Sequence, residues 1–505
     1  MGEQEIELKL RLTPESAERL RENDLVQSIG RGQAKTSKLQ SVYYDTPTLE
    51  LKNRGMALRI RDDGSQRIQT LKVPAGVNAG LQNRTEFNRK ITGNRPDLRP
   101  DAEAELPKSV VGNGLAEQIK PVFKTEVVRT AWDLKFRGAD IELVLDQGTI
   151  KSGRRKKPIC EAELELKSGD PRRLMELALE LGDMVPFAVD ARTKAGRGYE
   201  LFTGAEPAPK KSQKLRLKKR MRVWNVFVAA MEQGLSQLLA NEWPIRYGTD
   251  PEGIHQARVG VRRLRSTLSM FRKVLPPDRR AIIARELSWL QGGFGPARDW
   301  DVFLLEALLP LQDRVPGNKA LETLVKQADD ARKAAYEEAE AVLDSPRFTR
   351  LVLRLQHWLT EDPEAPELQQ RIGSFASDIM QKRYRRIRKA VGDDIRALSE
   401  TDLHRLRIEI KKTRYAAEFL RTLYPAGAVD NYLEVLRGMQ ECLGGLNDSV
   451  VGHALVDSLE NGVKSVDPEA RLILEGWHAG RIEMGLSHLD ELWEKFTRVK
   501  PFWKK

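Results

Sequence analysis

Charged and aliphatic residues alternate one by one along several short stretches between residues 1 and 203, and this alternation limits the folds open to the chain. In Glu5-Ile6-Glu7-Leu8-Lys9, read as a strand, period two puts Glu5, Glu7 and Lys9 on one face and Ile6, Leu8 and Leu10 on the other. Arg59 and Arg61 share a face opposite Leu58 and Ile60. Glu161, Glu163 and Glu165 share one opposite Ala162, Leu164 and Leu166, and Lys72 follows Leu71. A single row of this kind is an ordinary solvent face. Several rows in one region, of both signs, predict that the charges line a lumen and that the aliphatic faces form the covered outside of a barrel. Turn signals at Asp62-Asp63-Gly64, Pro74-Ala75-Gly76, Gly93-Asn94 and Arg137-Gly138 separate candidate strands at 5–12, 40–44, 56–61, 67–73, 85–91, 122–134, 140–150 and 159–167. Helices are expected at 14–23 and 171–181. Strands in this hairpin spacing predict an antiparallel barrel or sandwich.

The chain is 505 residues long, enough for two to four domains, and is rich in charge with a formal net charge of +12. Cys160 and Cys442 are its two cysteines, too few for a disulfide scaffold or a zinc site and in keeping with a reducing cytoplasm. The acidic start Met1-Gly2-Glu3-Gln4-Glu5 has no apolar core of a leader, so none is expected, and no apolar run reaches membrane-spanning length. All 6 histidines lie between His255 and His488, so chemistry in the first half cannot use imidazole.

Residues 204–214 are rich in Pro, Ala and Lys and read as a linker. From 215 to 505 apolar residues recur at three and four, punctuated by Pro and Gly, which predicts an all-α region. That region repeats. His255-x-x-Arg258-x-x-x-Arg262-Arg263-x-Arg265 matches His404-x-x-Arg407-x-x-x-Lys411-Lys412-x-Arg414, an offset of 149 residues. The same offset pairs Arg272 with Arg421, Pro276 with Pro425, Gln291 with Gln440, Gly295 with Gly444 and Asp299 with Asp448. Two related bundles of about four helices each are expected.

The carboxylates of the first half are hard oxygen ligands suited to Mg²⁺ or Mn²⁺. Alone they would repel a phosphate chain; with a divalent ion they can hold it, while Lys9, Arg59, Arg61 and Lys72 bind its other oxygens. Further basic candidates are Lys38, Arg84, Arg129 and Lys194, and further acidic ones Glu86 and Asp146. Phosphoryl transfer needs positioning and charge neutralisation more than covalent chemistry. On a helix, His255, Arg258, Arg262 and Arg265 form one stripe, as do His404, Arg407, Lys411 and Arg414. Such a row either is neutralised by acids such as Asp299 and Asp448, or is solvated, or makes a groove for a polyanion. The basic runs at 218–220 and 382–386 either extend that groove or are ordinary surface. No Walker loop, dinucleotide fingerprint or RNA-binding signature is present, so a nucleic-acid partner is not expected.

Glu5-x-Glu7-x-Lys9 resembles the signature of the CYTH domain, the triphosphate tunnel metalloenzymes. Tyr43-Tyr44-Asp45-Thr46-Pro47, Leu58-Arg59-Ile60-Arg61, Leu71-Lys72, Asp146-Gln147-Gly148 and the segment 160–166 fall where that family's later motifs fall. The resemblance covers about 3–203. It implies an eight-stranded antiparallel β-tunnel with a charged interior that hydrolyses inorganic triphosphate, thiamine triphosphate or RNA 5′-triphosphate ends, or cyclises ATP. It further implies metal held by Glu5 and Glu7 with two of Glu161, Glu163 and Glu165 (Glu161 and Glu163 favoured), and a second ion near Asp146. Lys9, Arg59, Arg61 and Lys72 would bind phosphate, with Arg129 and Lys194 as weaker transfers. Residues 215–505 resemble the CHAD domain through the two His/Arg stripes, Arg298-Asp299 and Asp448. That likeness implies paired four-helix bundles binding inorganic polyphosphate through His255, Arg258, Arg262, Arg263, Arg265 and Arg272 and through His404, Arg407, Lys411, Lys412, Arg414 and Arg421. The expectation is a cytoplasmic, metal-dependent hydrolase of inorganic triphosphate that associates with polyphosphate granules. The alternatives are a non-catalytic polyphosphate-binding protein, and a phosphohydrolase or cyclase acting on thiamine triphosphate or ATP.

Overall fold

A computed structural model describes residues 3–78, 81–98, 115–363, 365–392, 394–461 and 465–504. They fall into two compact units. The first comprises Met1–Pro209 with two segments from later in the chain, Leu239–Thr249 and Leu343–Glu361; the second holds the remainder.

The first unit is built on eight antiparallel strands: β1 (Glu3–Arg11), β2 (Lys35–Asp45), β3 (Ala57–Asp62), β4 (Arg67–Asn78), β5 (Leu81–Ile91), β6 (Lys120–Phe136), β7 (Ala139–Ser152) and β8 (Arg155–Ser168). They run β5-β4-β3-β2-β6-β7-β8-β1, and β5 pairs back onto β1, so the sheet closes. Closure removes the exposed edges that an open sheet must protect. A two-residue β9 (Ala188–Val189) lies against Leu10 and Arg11. The turn expected at 74–76 is instead a bulge within β4, where the register shifts between Pro74 and Gly76. A bulge accommodates a proline that cannot donate to the ladder.

The alternation in the sequence decides which face turns inward. Leu8 and Leu10 on β1 and Leu164 on β8 are fully buried on the outside, under a helix at Arg172–Leu181 whose Leu174, Met175, Leu177 and Ala178 have no exposure. Glu7, Lys9 and Glu163 are buried on the inside. One end of the lumen is filled by a helix at Lys194–Thr203. Its Ala195, Tyr199 and Leu201 pack with Tyr43, Phe123, Val127, Ile150 and Ile159. Thr193 caps it, its Oγ1 accepting from Gly196 N at 2.9 Å, and Tyr199 donates to the buried Asp45 at 2.8 Å. Asp45 also accepts from the backbone N–H groups of Thr46, Leu51 and Lys52, so this carboxylate ties β2 to the helix inside the lumen.

Gly198 sets how deeply that helix sits: a Cβ there would lie 2.0 Å from the Phe123 ring. Gly198→Val should therefore destabilise this unit by roughly 2–3 kcal/mol through overpacking, read as a lower calorimetric melting temperature. An unchanged melting point would show that the helix can rise without cost.

The second unit is all-α, and the sequence repeat reappears in its helix boundaries. Helices at Pro277–Gly293 and Ala426–Cys442 begin and end at equivalent repeat positions, and those at Gly295–Val302 and Gly444–Asn461 begin at equivalent ones. The two stripes lie on helices Glu252–Met270 and Glu400–Leu420. The copies differ after Val302, where the first makes a π-helical turn at Phe303–Leu308. Among the described residues no helix is long and apolar enough to cross a membrane.

Candidate functional site

The open part of the lumen is a cavity of about 570 Å³ lined mainly by charged residues. Acids come from β1 (Glu5, Glu7), β5 (Glu86), β7 (Glu142) and β8 (Glu163, Glu165); bases come from Lys9, Arg59, Arg61, Lys72, Arg84, Arg129, Lys167 and Lys194. Register explains the meeting of acids: Glu7 lies opposite Glu165 and Lys9 opposite Glu163.

The charges are unevenly paired. Lys9 bridges Glu7 at 3.0 Å and Glu163, and Lys72 bridges Glu5 at 2.9 Å and Glu86. Burial pushes the Glu5 carboxyl up to about 7 against the pull of Lys72, with Glu7 and Glu86 adding to the rise. Glu86, against its own burial, is brought down to about 2 by Lys72, a hydrogen bond with Glu5 and the nearby Arg59. The Nε atoms of Arg59 and Arg61 are buried without hydrogen-bond partners, although Arg59 also meets the Tyr43 hydroxyl. Burial, with Arg59 and Arg129 close by, pushes Arg61 down to about 9. Tyr43 lines the same cavity, and although burial works against ionisation, Arg59 and Arg61 bring its hydroxyl below the usual phenol value.

Deeper in, Asp146, Glu161 and Glu163 offer carboxylate oxygens within 4.8 Å of one another, a buried cluster able to coordinate a divalent metal. The Lys194 ammonium contacts all three, at 2.7 Å from Asp146, 3.0 Å from Glu163 and in a close pair with Glu161. Arg129 holds Asp146 through two bonds of 2.8 and 2.6 Å and reaches Glu163 at 3.3 Å. Glu161 is further bound by Arg197, which the sequence analysis did not single out. Glu161 and Asp146 therefore sit behind the open cavity, while Glu163 and Glu165 face it. Lys38 stands apart, exposed on the outer face of β2, because Leu39, Ser41 and Tyr43 take the inward positions.

In the helical unit the two stripes meet in one groove of about 190 Å³. It is lined by His255, Arg258 and Arg262 from one copy and by Arg407 and Lys411 from the other, with Arg298, Asp299 and Asp448 beside them. Burial, with Arg298, Arg262 and Arg258 near, pushes His255 down to about 4, and burial with Arg407 and Arg262 brings Lys411 down to about 8. Nη1 of Arg258 and Nε of Arg262 are buried without hydrogen-bond partners. Arg258 also pairs with Asp299 at 3.6 Å, Arg298 with Glu306 at 3.5 Å, and Arg262 lies over the Tyr415 ring at 5.0 Å. His478 and Arg481, from helix Pro468–Leu486, complete the groove; at the 149-residue offset Arg481 matches Arg332, while His478 falls on Asp329.

The remaining residues of the stripes lie outside the groove. Arg265 and Arg414 donate to Gln291 and Gln440 at equivalent repeat positions, Arg263 donates to Gln237 at 2.5 Å, Lys412 pairs with Glu409 at 2.8 Å, and Arg421 with Asp430 at 2.9 Å. His404 is exposed, and Arg272 lines a different pocket.

Fold and site together define a closed barrel of triphosphatase-like form, with clustered acids inside, followed by a helical unit carrying a basic groove. The CYTH family profile matches residues 3–199 and the CHAD profile residues 229–457, so the chain carries a CYTH domain followed by a CHAD domain. An inorganic triphosphatase of Haemophilus influenzae is 34% identical over 209 residues, covering 39% of this chain and 55% of that protein, so the chain spans little more than half of that relative. An uncharacterised protein of Mycobacterium tuberculosis is 26% identical over 459 residues, 83% of this chain and 82% of that one. The crystal structure of the CHAD domain from the plant Ricinus communis superposes with a TM-score of 0.51 at 33% identity, covering 58% of this chain and 98% of that one.

Proposed function

We propose that the barrel hydrolyses inorganic triphosphate to phosphate and pyrophosphate with Mg²⁺ or Mn²⁺. The helical region, read as paired four-helix bundles over 215–505 and joined by the 204–214 linker to a tunnel domain at 1–203, binds inorganic polyphosphate and brings the enzyme to polyphosphate granules in the cytoplasm. One observation carries the catalytic reading: Arg59 and Arg61, each with a buried Nε that has no hydrogen-bond partner, face the same cavity as Glu5, Glu7, Glu163 and Glu165. Guanidinium groups with spare donors beside clustered carboxylates suit a phosphate chain that arrives with a divalent ion.

Glu5, Glu7, Glu163 and Glu165 are the residues that would hold the ion from the cavity side. Glu161 and Asp146 do not line the cavity but meet Glu163 in the buried acid cluster behind it, where they would add ligands to an ion seated deeper. The bound ion would offset the repulsion between these acids and the phosphate chain and polarise the scissile bond. Arg59, Arg61, Arg84 and Lys72 bind and orient the phosphate oxygens, and Lys9, clamped between Glu7 and Glu163, keeps both acids in place. The Haemophilus relative, an inorganic triphosphatase, supports the substrate. Incubating purified protein with inorganic triphosphate, ATP, thiamine triphosphate or long-chain polyphosphate, each with Mg²⁺ or Mn²⁺, tests the reading. Inorganic triphosphate should be cleaved fastest. Turnover of none would leave a binding protein, and cyclic AMP from ATP would mark a cyclase.

For the groove, Lys411 supplies a pH signature. Its free ammonium is already about half deprotonated at pH 8, and a polyanion favours the charged form. Binding at pH 8 should therefore take up about half a proton from this group, and affinity should fall as pH rises from 7 to 9. Calorimetry in two buffers of different ionisation enthalpy reads the uptake; a buffer-independent enthalpy at pH 8 would contradict it.

A further inference from the structure

Two segments that follow the barrel in sequence belong to its compact unit: Leu239–Thr249 and Leu343–Glu361. The first carries a short helix, Glu242–Tyr247. It meets the barrel where the chain turns into the lumen helix Lys194–Thr203. At that turn β9 lies against Leu10 and Arg11, the Asp190 N–H donates to Lys9 O at 2.9 Å, and Asp190 Oδ1 accepts from Arg192 N at 2.9 Å. Thr193 then caps the helix. Lys194 and Arg197, in its first turn, bind the buried acids: Lys194 touches Asp146, Glu161 and Glu163, and Arg197 touches Glu161.

Trp243 and Glu242 take hold of this entry. The Arg192 guanidinium carbon lies 3.2 Å from the centre of the Trp243 ring, and that of Arg11 approaches the same ring at 5.1 Å. Tyr247 stacks on the indole at 4.7 Å. Glu242, only 3% exposed, accepts from Arg11 Nη2 at 2.9 Å and from Arg246 Nε at 3.2 Å. Arg246 is in turn held by Asp344 at 2.8 and 3.0 Å. Arg192 also reaches Asp190 at 3.5 Å and Glu200, on the lumen helix, at 3.4 Å. The Trp243 N–H is buried without a hydrogen-bond partner, so this indole acts through its face. Neither Trp243 nor Glu242 lines the cavity. The far part of the lumen helix has its own anchors, Tyr199 on Asp45 and the packing of Leu201, whereas its first turn is approached through Arg192.

We propose that Trp243 and Glu242 are positioning residues: by clasping Arg192 and Arg11 they fix the entry to the lumen helix and so hold Lys194 and Arg197 on the acids of the lumen. The region after the barrel thereby supplies part of the barrel's working geometry. The consequence for turnover rests on the hydrolase reading.

The test uses the full chain and two measurements, hydrogen exchange and the kinetics of triphosphate cleavage with Mn²⁺. Trp243→Leu keeps apolar bulk but has no aromatic face. It should speed exchange at 190–197 by about tenfold while β6 and β7 keep their protection. It should lower kcat by about tenfold, because small displacements of positioned groups cost rate steeply. KM should stay within about twofold, since Arg59, Arg61 and Lys72 stand on β3 and β4, away from the clasp. Trp243→Phe should restore most of both losses. Arg192→Met and Glu242→Gln should show the same split between kcat and KM, and they decide the matter if Trp243→Leu does not fold. Trp243→Leu/Arg192→Met should fall no further than the worse single variant, as for two halves of one contact. Wild-type exchange and kcat in the single variants would overturn the proposal. Equal losses in Trp243→Phe and Trp243→Leu would also overturn it, reducing the indole to packing, as would losses that multiply in the double variant. A wild-type protein that leaves triphosphate uncleaved would sink the hydrolase reading, and exchange at 190–197 would then decide the clasp by itself.

Discussion

Replacing Glu7 by alanine is expected to lower metal-dependent phosphate release from inorganic triphosphate by on the order of 10²–10³-fold or more, the scale on which one preorganised electrostatic group contributes to catalysis. Glu7 lies 3% exposed between β5 and β8, opposite Glu165 and bonded to Lys9. The fold should survive, because Lys9 keeps Glu163 as a partner and the aliphatic outer face of β1 is untouched. Melting curves should therefore nearly coincide while turnover collapses, and Glu7→Gln, of the same shape, should fail almost as completely. Wild-type turnover in either variant would remove the lumen from the chemistry.

The second large effect concerns the groove. Replacing Arg258, Arg262, Arg407 and Lys411 together by alanine takes four cations from two helices out of one 190 Å³ space. Polyphosphate affinity should fall by several orders of magnitude at low salt, and the dependence of log affinity on log salt should flatten by about 3. Stability should hold or rise, because burial already drives Arg258, Arg262, Arg407 and Lys411 below their ordinary values. Undiminished affinity would make the stripes structural.

These outcomes rest on features that differ in how plainly they could be read in the sequence. The barrel was legible strand by strand, because a charged lumen reverses the usual pattern and leaves both signs of charge at period two. Depth along the lumen was not. Glu161, Glu163 and Glu165 share one face, so periodicity cannot rank them; what separates them is the helix at Lys194–Thr203, which buries Glu161 under Lys194 and Arg197. That helix was hidden by Gly196 and Gly198, poor helix formers. Gly198 is there because the chain passes against Phe123.

The helical half shows the converse. The 149-residue offset carried over to helix boundaries and to the Arg265–Gln291 and Arg414–Gln440 pairs. It did not carry over to His255 and His404, one lining the groove and the other exposed. Equal sequence in two copies fixes equal helices, but each copy meets different neighbours. The π-helical turn after Val302 and the helix bearing His478 and Arg481 build the surroundings of His255 alone.

The central claim is that a divalent ion joins the lumen acids to a phosphate chain held by Arg59 and Arg61. Anomalous diffraction from crystals soaked with Mn²⁺ and a non-hydrolysable imido analogue of triphosphate tests it most directly. The account predicts manganese bound by carboxylates among Glu5, Glu7, Glu163 and Glu165, with the analogue's oxygens on Arg59 and Arg61. Manganese bound only elsewhere, or an analogue found only outside the barrel, would contradict it.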